Sequence, residues 1–271
     1  MRTDRFLWPP SLLSVAGLAS AAVMLLAAFA ASAEVTYAHV EFVQGTVSIL
    51  DAKGQARAPQ VKDKIFAGET VLTGRNGELH VRTDDHGYVA FRANTKMKID
   101  SYLAEGDKDD NVVMSLLYGS LRSVTGWIGK HNADKYAIRT PTATIGIRGT
   151  DHEPHVILPS GPGEGPPAAP PGTYEKVHSG ATVIKNEGGQ TVVDANHVAF
   201  APHDGKAPPR ALDRAPDIYK PTANEGRIEG RGKELVKEME EKRQTRMKEA
   251  AEKREEAHKK AEKRRRKPAD K

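Results

Sequence analysis

Three groups of side chains in this sequence could do chemistry. Thr150-Asp151-His152-Glu153-Pro154-His155 is a dense cluster of ionisable groups. Asp, His and Glu are ligands for a divalent ion, so a metal-dependent reaction at Asp151–His155 is one reading. Strand alternation opposes it, because Asp151 and Glu153 would face one way and His152 the other. Only a loop could gather Asp151, His152 and Glu153, and an ordinary polar strand end is the plainer reading. The second group is Arg148 with Gly149 and Thr150, at the end of YAIRTPTATIGIRGT (residues 136–150). It is either a small binding site or the exit of a strand pair. The third is Lys263-Arg264-Arg265-Arg266-Lys267, a cationic cluster suited to polyanions. No nucleophile elbow, phosphate loop, zinc-protease helix or carboxylate pair accompanies these groups. The sequence therefore points away from an enzyme, and no cofactor, metal or small-molecule substrate is expected.

Composition narrows the partners. The chain has 271 residues, no cysteine, 6% aromatic and 28% charged residues, and a net charge of +5. Without cysteine there are no disulfides and no thiolate ligands or nucleophiles. From Arg227 onward the sequence holds 18 of the 41 Lys/Arg and 11 of the 36 Asp/Glu. The rest carries 23 basic and 25 acidic residues, so the basicity belongs to the tail. That excludes a general nucleic-acid argument for the body of the chain.

The elements that would position these groups read as strands. In Val40–Leu50, Val47 and Ile49 alternate with Thr46 and Ser48. Asp51–Gly54 reads as a turn, and Arg75-Asn76-Gly77 as a hairpin, since Asn-Gly takes positive φ readily. In Glu78–Thr83, Leu79 and Val81 should point inward, and His80 and Arg82 outward. Asp84–Gly87 turns into Tyr88–Arg92, and Met97 and Ile99 share a face of Lys96–Asp100. Trp127 and Ile128 anchor a short mixed segment. In residues 136–150, Pro141 marks a strand boundary because it cannot donate to a ladder, and Gly149 permits a bend. Val43–Ile49, Leu117–Val124 and Val177–Ile184 form a weak repeat of apolar residue, short step, glycine and strand. Pro159–Gly172 should be an irregular loop, and Gly188-Gly189 a hairpin turn within Thr173–Ala201. This predicts an all-β fold: a sandwich or jelly roll, or a short β-solenoid, of antiparallel strands. A charged C-terminal α-helix follows it.

Two segments together carry a family resemblance. TPTATIGIRGT, with Thr140, Pro141, Thr142, Ala143, Arg148, Gly149 and Thr150, and the upstream IFAGETVLTGRNGELHVRTDDHGYVAFRANTKMKID resemble FecR-type domains. These are β-rich cell-envelope domains whose founding members relay signals across the inner membrane. The resemblance runs from about Val40 to Asp151, with a weaker echo at Gly172–Pro202. It implies a protein partner at the envelope, and it makes the threonine-rich motif a fold marker. The chain departs from the pattern at Asp151–His155, where an apolar or aromatic residue commonly follows Gly-Thr. Classical FecR regulators also carry a longer cytoplasmic segment that engages a sigma factor, whereas about ten residues precede the apolar run here.

Residues 1–33 are expected to be an export signal. Arg2 and Arg5 precede the apolar Leu12–Ala30, and Ala31-Ser32-Ala33 fits a cleavage site. Uncleaved, the segment would anchor the chain in the inner membrane; either way the remainder lies in the periplasm or envelope. Residues 34–206 form the β domain, with the Pro/Gly loop at 159–172. Residues 207–232 read as a linker, 233–267 as a helix and 268–271 as a tail. Leu235, Val236, Met239, Met247, Ala250, Ala257 and Ala261 do not sustain a heptad seam, which favours a solvated single helix over a coiled coil. Three functions follow: an exported, non-enzymatic partner-binding domain in signalling or as a scaffold; a structural protein that binds anionic lipid or cell wall through Lys263–Lys267; or a metal-dependent site at Asp151–His155.

Overall fold

The computed structural model describes residues 34–161, 165–229 and 231–266, without the side chains of 231–237, 261 and 263–266. The expected export signal at 1–33, Lys267 and the tail at 268–271 lie outside the described residues. From Val35 on, the chain is one unit.

Fifteen strands run in chain order: β1 (Thr36–Gln44), β2 (Val47–Leu50), β3 (Ala56–Arg57), β4 (Lys64–Phe66), β5 (Thr70–Thr73), β6 (Glu78–Thr83), β7 (Tyr88–Phe91), β8 (Lys96–Leu103) and β9 (Asn111–Val124). After a short helix α1 (Trp127–His131) come β10 (Tyr136–Arg139), β11 (Thr144–Ile157), β12 (Gly172–Asn186), β13 (Gly189–Asp194), β14 (Val198–Pro202) and β15 (Arg210–Leu212). The helix α2 spans Arg231–Arg266.

All fifteen strands share one hydrogen-bonded sheet, and the pairings divide it into two layers. The first runs β4-β1-β6-β7, then the second half of β9, the second half of β11, the first half of β12, β14 and β15. The second runs β3-β2-β5-β8, then the first half of β9, β10, the first half of β11, the second half of β12 and β13. Strands β9, β11 and β12 thus belong to both. The pairing of β9 with β10 is parallel, an exception to the antiparallel expectation. The layers face each other across one core. Tyr37 of β1 donates to Met114 Sδ of β9 at 3.3 Å and meets Tyr102 of β8 edge-on at 5.1 Å.

The weak repeat in the sequence has a structural meaning. Its glycines, Gly45, Gly119 and Gly180, all have positive φ and stand where the chain passes between layers. At Gly119 (φ +86°) an added Cβ would come within 2.3 Å of the Asn94 carbonyl oxygen. Gly149 (φ +56°) lies in the matching bulge of β11. Only residues without a Cβ take this turn cheaply.

Several local expectations hold. The turns at 51–54 and 84–87 connect β2 to β3 and β6 to β7, and Gly188-Gly189 joins β12 to β13. Leu79, Val81, Met97 and Ile99 are buried in the core. Arg75-Asn76-Gly77 is a correction. β5 and β6 do not pair; the turn carries the chain from the second layer to the first. It is held by Gly74 N–H to Thr46 O (2.8 Å) and Asn94 N–H to Gly74 O (3.0 Å). Tertiary bonds overrode the hairpin preference of Asn-Gly. The segment around Trp127 and Ile128 is helical, fixed by Trp127 Nε1–H to Asp110 (2.7 Å).

The solvated-helix expectation for α2 is also corrected. Met239 is 2% exposed and belongs to the main core, and Ala250 is buried on the same face. Arg246 pairs with Asp84 (2.8 Å), and Arg254 with Asp107 (2.6 Å) and Glu105 (2.7 Å). A seam of two apolar side chains flanked by arginines, facing an acidic loop, is too sparse for a heptad pattern to reveal.

Gly119→Ala should lower stability by about 2 kcal/mol or more, through positive φ and overlap with backbone. Gly146→Ala, whose added Cβ meets nothing within 4 Å, should leave the urea midpoint nearly unchanged.

Candidate functional site

The outer face of the first layer is where ionisable side chains gather, and alternation puts them there. Each strand buries its inward set, such as Leu79, Val89, Phe91 and Leu121, in the core. The intervening positions turn outward: Glu78, His80 and Arg82 on β6, Tyr88, Ala90 and then Arg92 from β7, Arg122 on β9, Asp151, Glu153 and His155 on β11, and His178 at the β12 bend. In an uncovered sheet these would be wet. Here His80 is 0% exposed, and the Arg92 and Arg122 side chains 8% each.

The cover is residues 213–229, a strap inside the stretch expected as a linker. It follows β15 and ends in a 3-10 turn at Glu225–Arg227. Glu225 is its centre. Arg122 Nη1 donates to one Glu225 oxygen, and Arg92 Nη1 to the other at 2.7 Å. The sheet's own carboxylates hold each guanidinium from the far side. Asp151 takes Arg122 Nε and Nη2 at 2.9 and 2.7 Å, and Glu153 takes Arg92 Nη2 at 3.3 Å. Thr222 donates to Glu78 (3.0 Å), as does Asn224 (2.9 Å). Ile228 packs with Tyr88, Ala90 and Val124 in a small second core. Arg227 lies over the Phe42 ring at 4.2 Å, and Tyr219 meets His155 edge-on at 6.2 Å.

The electrostatics follow from this geometry. Burial works to raise the Glu225 pKa, but hydrogen bonds and charge from Arg92 and Arg122 outweigh it and hold the carboxyl at about 2. Burial lowers His80, against its 2.7 Å bond to Glu78. Burial likewise pushes His155 down to about 4, against the pull of Glu153. Both imidazoles are neutral at pH 7.

The Asp151–His155 cluster does not meet around one point. Asp151 and Glu153 serve the two arginines, while His152 faces the core and bonds Glu175 at 2.7 Å, both side chains 0% exposed. Among the described residues no three His, Asp or Glu side chains are placed to hold a metal ion. Arg148 is exposed on the second-layer half of β11, separated from Asp151 by the bend at Gly149. The Thr140-Pro141-Thr142-Ala143 segment is a tight turn. Thr140 Oγ1 accepts from Ala143 N–H (2.9 Å), and the Thr140 and Thr142 hydroxyls both bond Thr173 at 2.7 Å. Thr150 exchanges backbone and hydroxyl bonds with Thr125. Lys263, Arg264, Arg265 and Arg266 fall in the last turns of α2, where side chains are not described.

Residues 69–158 match the profile of a family described as FecR protein. That stretch of the chain is similar to a FecR domain. The match begins just before β5 and ends just after β11. It includes Arg92, Arg122, Asp151 and Glu153, while the strap that covers them lies beyond it. No curated protein matches the chain. Among solved structures it is similar to a candidate anti-sigma factor from Parabacteroides distasonis ATCC 8503, in two crystal structures. The identity is 9% in both, with TM-scores of 0.41 and 0.42, over 54% of this chain and 60% of that one. The chain thus spans about 60% of that protein's length. A structure described as a cell surface anchoring domain shares 30% identity over 22% of this chain and 80% of its own, with a TM-score of 0.22.

The arginines, Glu225, Thr222 and Ile228 were not singled out in the sequence. The available signal was the spacing of Tyr219, Thr222, Glu225 and Ile228 at intervals of three, within a stretch otherwise read as polar linker.

Glu225→Gln should cost about 3 kcal/mol, because it leaves two buried guanidiniums short of a counter-charge. The pH dependence has a definite sign. The unfolded state protonates His155 near 6.5 and the fold resists this until about 4. Stability should therefore be full above about pH 6.5 and fall as pH drops through that window. The Glu225 contribution should be lost below the ordinary carboxylate value, towards about 2. Urea titrations from pH 8 to 3 should show the first decline reduced in His155→Phe and the second reduced in Glu225→Gln.

Proposed function

We propose that the chain is an exported, non-enzymatic FecR-domain protein that binds a protein partner on the envelope side of the membrane, in signalling or as a scaffold. One observation carries this reading: the outer face of the first layer holds a segment without regular strand structure, residues 219–228, by side chains at every third position. A sheet face that grips such a segment through two arginines, a carboxylate-histidine pair and an apolar patch has the chemistry of a protein-recognition surface. The family match supports a regulatory role. The sequence of residues 1–33 supports export, and no described helix is long and apolar enough to cross a membrane. A partner-binding domain needs no cofactor, and the arginines Arg92 and Arg122 with Asp151, Glu153 and Glu225 on this face are engaged in ion pairs.

A second reading has its own observation. Ion pairs dock α2 as far as Arg254, and from Glu255 to Lys260 the helix is exposed, pairing Lys259 with Glu255 and Lys260 with Glu256 on its own surface. The basic end with Lys263–Lys267 would then contact anionic lipid or cell wall.

Photo-crosslinking in cells separates the two. A crosslinking residue at position 178, beside the arginine face, should give a discrete adduct with one envelope protein, and the same residue at position 98 should not. Equal or absent adducts at both positions contradict the first reading. Loss of envelope association on removal of residues 255–271 alone supports the second.

A further inference from the structure

The sheet face offers a specific chemical request. We infer that the groove of Arg92 and Arg122 is a receptor for an acidic segment of a partner protein, and that residues 219–228 are a built-in competitor for the same groove. This rests on the partner-binding reading above and names the chemistry of the segment bound.

The two guanidiniums are set before any ligand arrives. Asp151 fixes Arg122 through two bonds, and Glu153 fixes Arg92. Each arginine turns its Nη1 to Glu225, that of Arg92 also reaching the Thr222 hydroxyl at 3.2 Å, so donors from neighbouring strands converge on one carboxylate. Fixed donors of this kind bind a carboxylate with little ordering cost. Three residues further on, Ile228 fills the apolar patch of Tyr88, Ala90 and Val124. Three residues earlier, the Thr222 hydroxyl bonds Glu78. The recognised pattern is hydroxyl, carboxylate and aliphatic side chain at intervals of three.

The strap occupies this groove as a ligand would. The backbone hydrogen bonds of the strap close within residues 216–229, such as Glu225 N–H to Thr222 O and Ile228 N–H to Glu225 O. It can therefore leave without breaking a ladder of the sheet. It also fits imperfectly. Arg92 Nε and the Tyr219 hydroxyl are buried there without a hydrogen-bond partner. Buried donors left unmet favour a competitor that brings acceptors to them.

The test uses the full chain with a protease site introduced at residues 213–216, cleaved after folding. The probes are labelled 13-residue peptides: the sequence of residues 217–229, its Glu225→Gln counterpart, an unrelated peptide that keeps only Thr-x-x-Glu-x-x-Ile, and a scrambled control. The first and third should enter the groove and displace the cleaved segment. The Gln peptide should bind at least tenfold more weakly, and the scrambled one not at all. Arg122→Gln in the cleaved chain should abolish binding of all of them. The inference is overturned if the Gln peptide binds as well as the Glu peptide, or if cleavage collapses the β signal in circular dichroism. It is also overturned if no peptide enters, or if the uncleaved chain exchanges straps into concentration-dependent dimers, which would make a second copy the occupant. A discrete envelope adduct at position 178 combined with no peptide entry would leave the partner-binding reading standing and sink this one alone.

Discussion

Two buried arginines set the terms for the outer face of this protein. A guanidinium cannot lose its charge, so a buried one must be given carboxylates or the layer that covers it will not close. Arg92 and Arg122 receive three: Asp151, Glu153 and Glu225. Two come from the sheet, and the third is delivered by a segment about seventy residues later in the chain. The rest of the face follows from that delivery. Once Glu225 is seated, Thr222 and Asn224 reach Glu78, Ile228 covers Tyr88, His80 is sealed from water and His155 is half-buried, both as neutral imidazoles. The strap then runs directly into α2, which begins at Arg231.

The arginines are in place because long strands change layers. β9 and β11 each serve the second layer with one half and the first with the other, and positive-φ glycines make the change. This separates neighbours in sequence. Arg148 and Asp151 stand three residues apart, yet Gly149 places them on different layers, and Asp151 is left to meet Arg122 across the β9–β11 pairing. The acidic, histidine-containing run that invites a metal reading is divided in the same way. Strand alternation gives its carboxylates to the arginines and its central histidine to Glu175 in the core.

Much of the fold was legible in the sequence. Period-two alternation in Glu78–Thr83 and Lys96–Asp100, the turn residues at 51–54, 84–87 and 188–189, and the Gly-anchored repeat are local features, and local features survive folding. What failed depended on distant partners. Asn76-Gly77 spells a hairpin, but hydrogen bonds to Thr46 and Asn94 make it a passage between layers. Ala207–Gly232 is rich in proline, glycine and charge, so it reads as solvent-exposed. Nothing near Glu225 announces that two arginines more than a hundred residues upstream await it. His80 was placed on the correct face, but its burial was invisible because the cover comes from that same unrecognised segment. The docking of α2 was missed for a similar reason, since its contact stripe is mostly arginine.

The domain is therefore a layered β scaffold with one face closed by its own chain. The strap is then a separate cooperative unit, fastened chiefly by Glu225 to Arg92 and Arg122, above a sheet that stands without it. Native-state hydrogen exchange tests this most directly, through the amides of Glu225, Arg227 and Ile228, which are bonded within the strap. They should be protected in the wild type, though less than those of β7, β9 and β11. In Glu225→Gln the strap amides should become nearly unprotected, while the sheet amides, lowered only by the loss of global stability, remain protected. Collapse of sheet protection together with that of the strap, or no strap protection in the wild type, would contradict a separately opening strap.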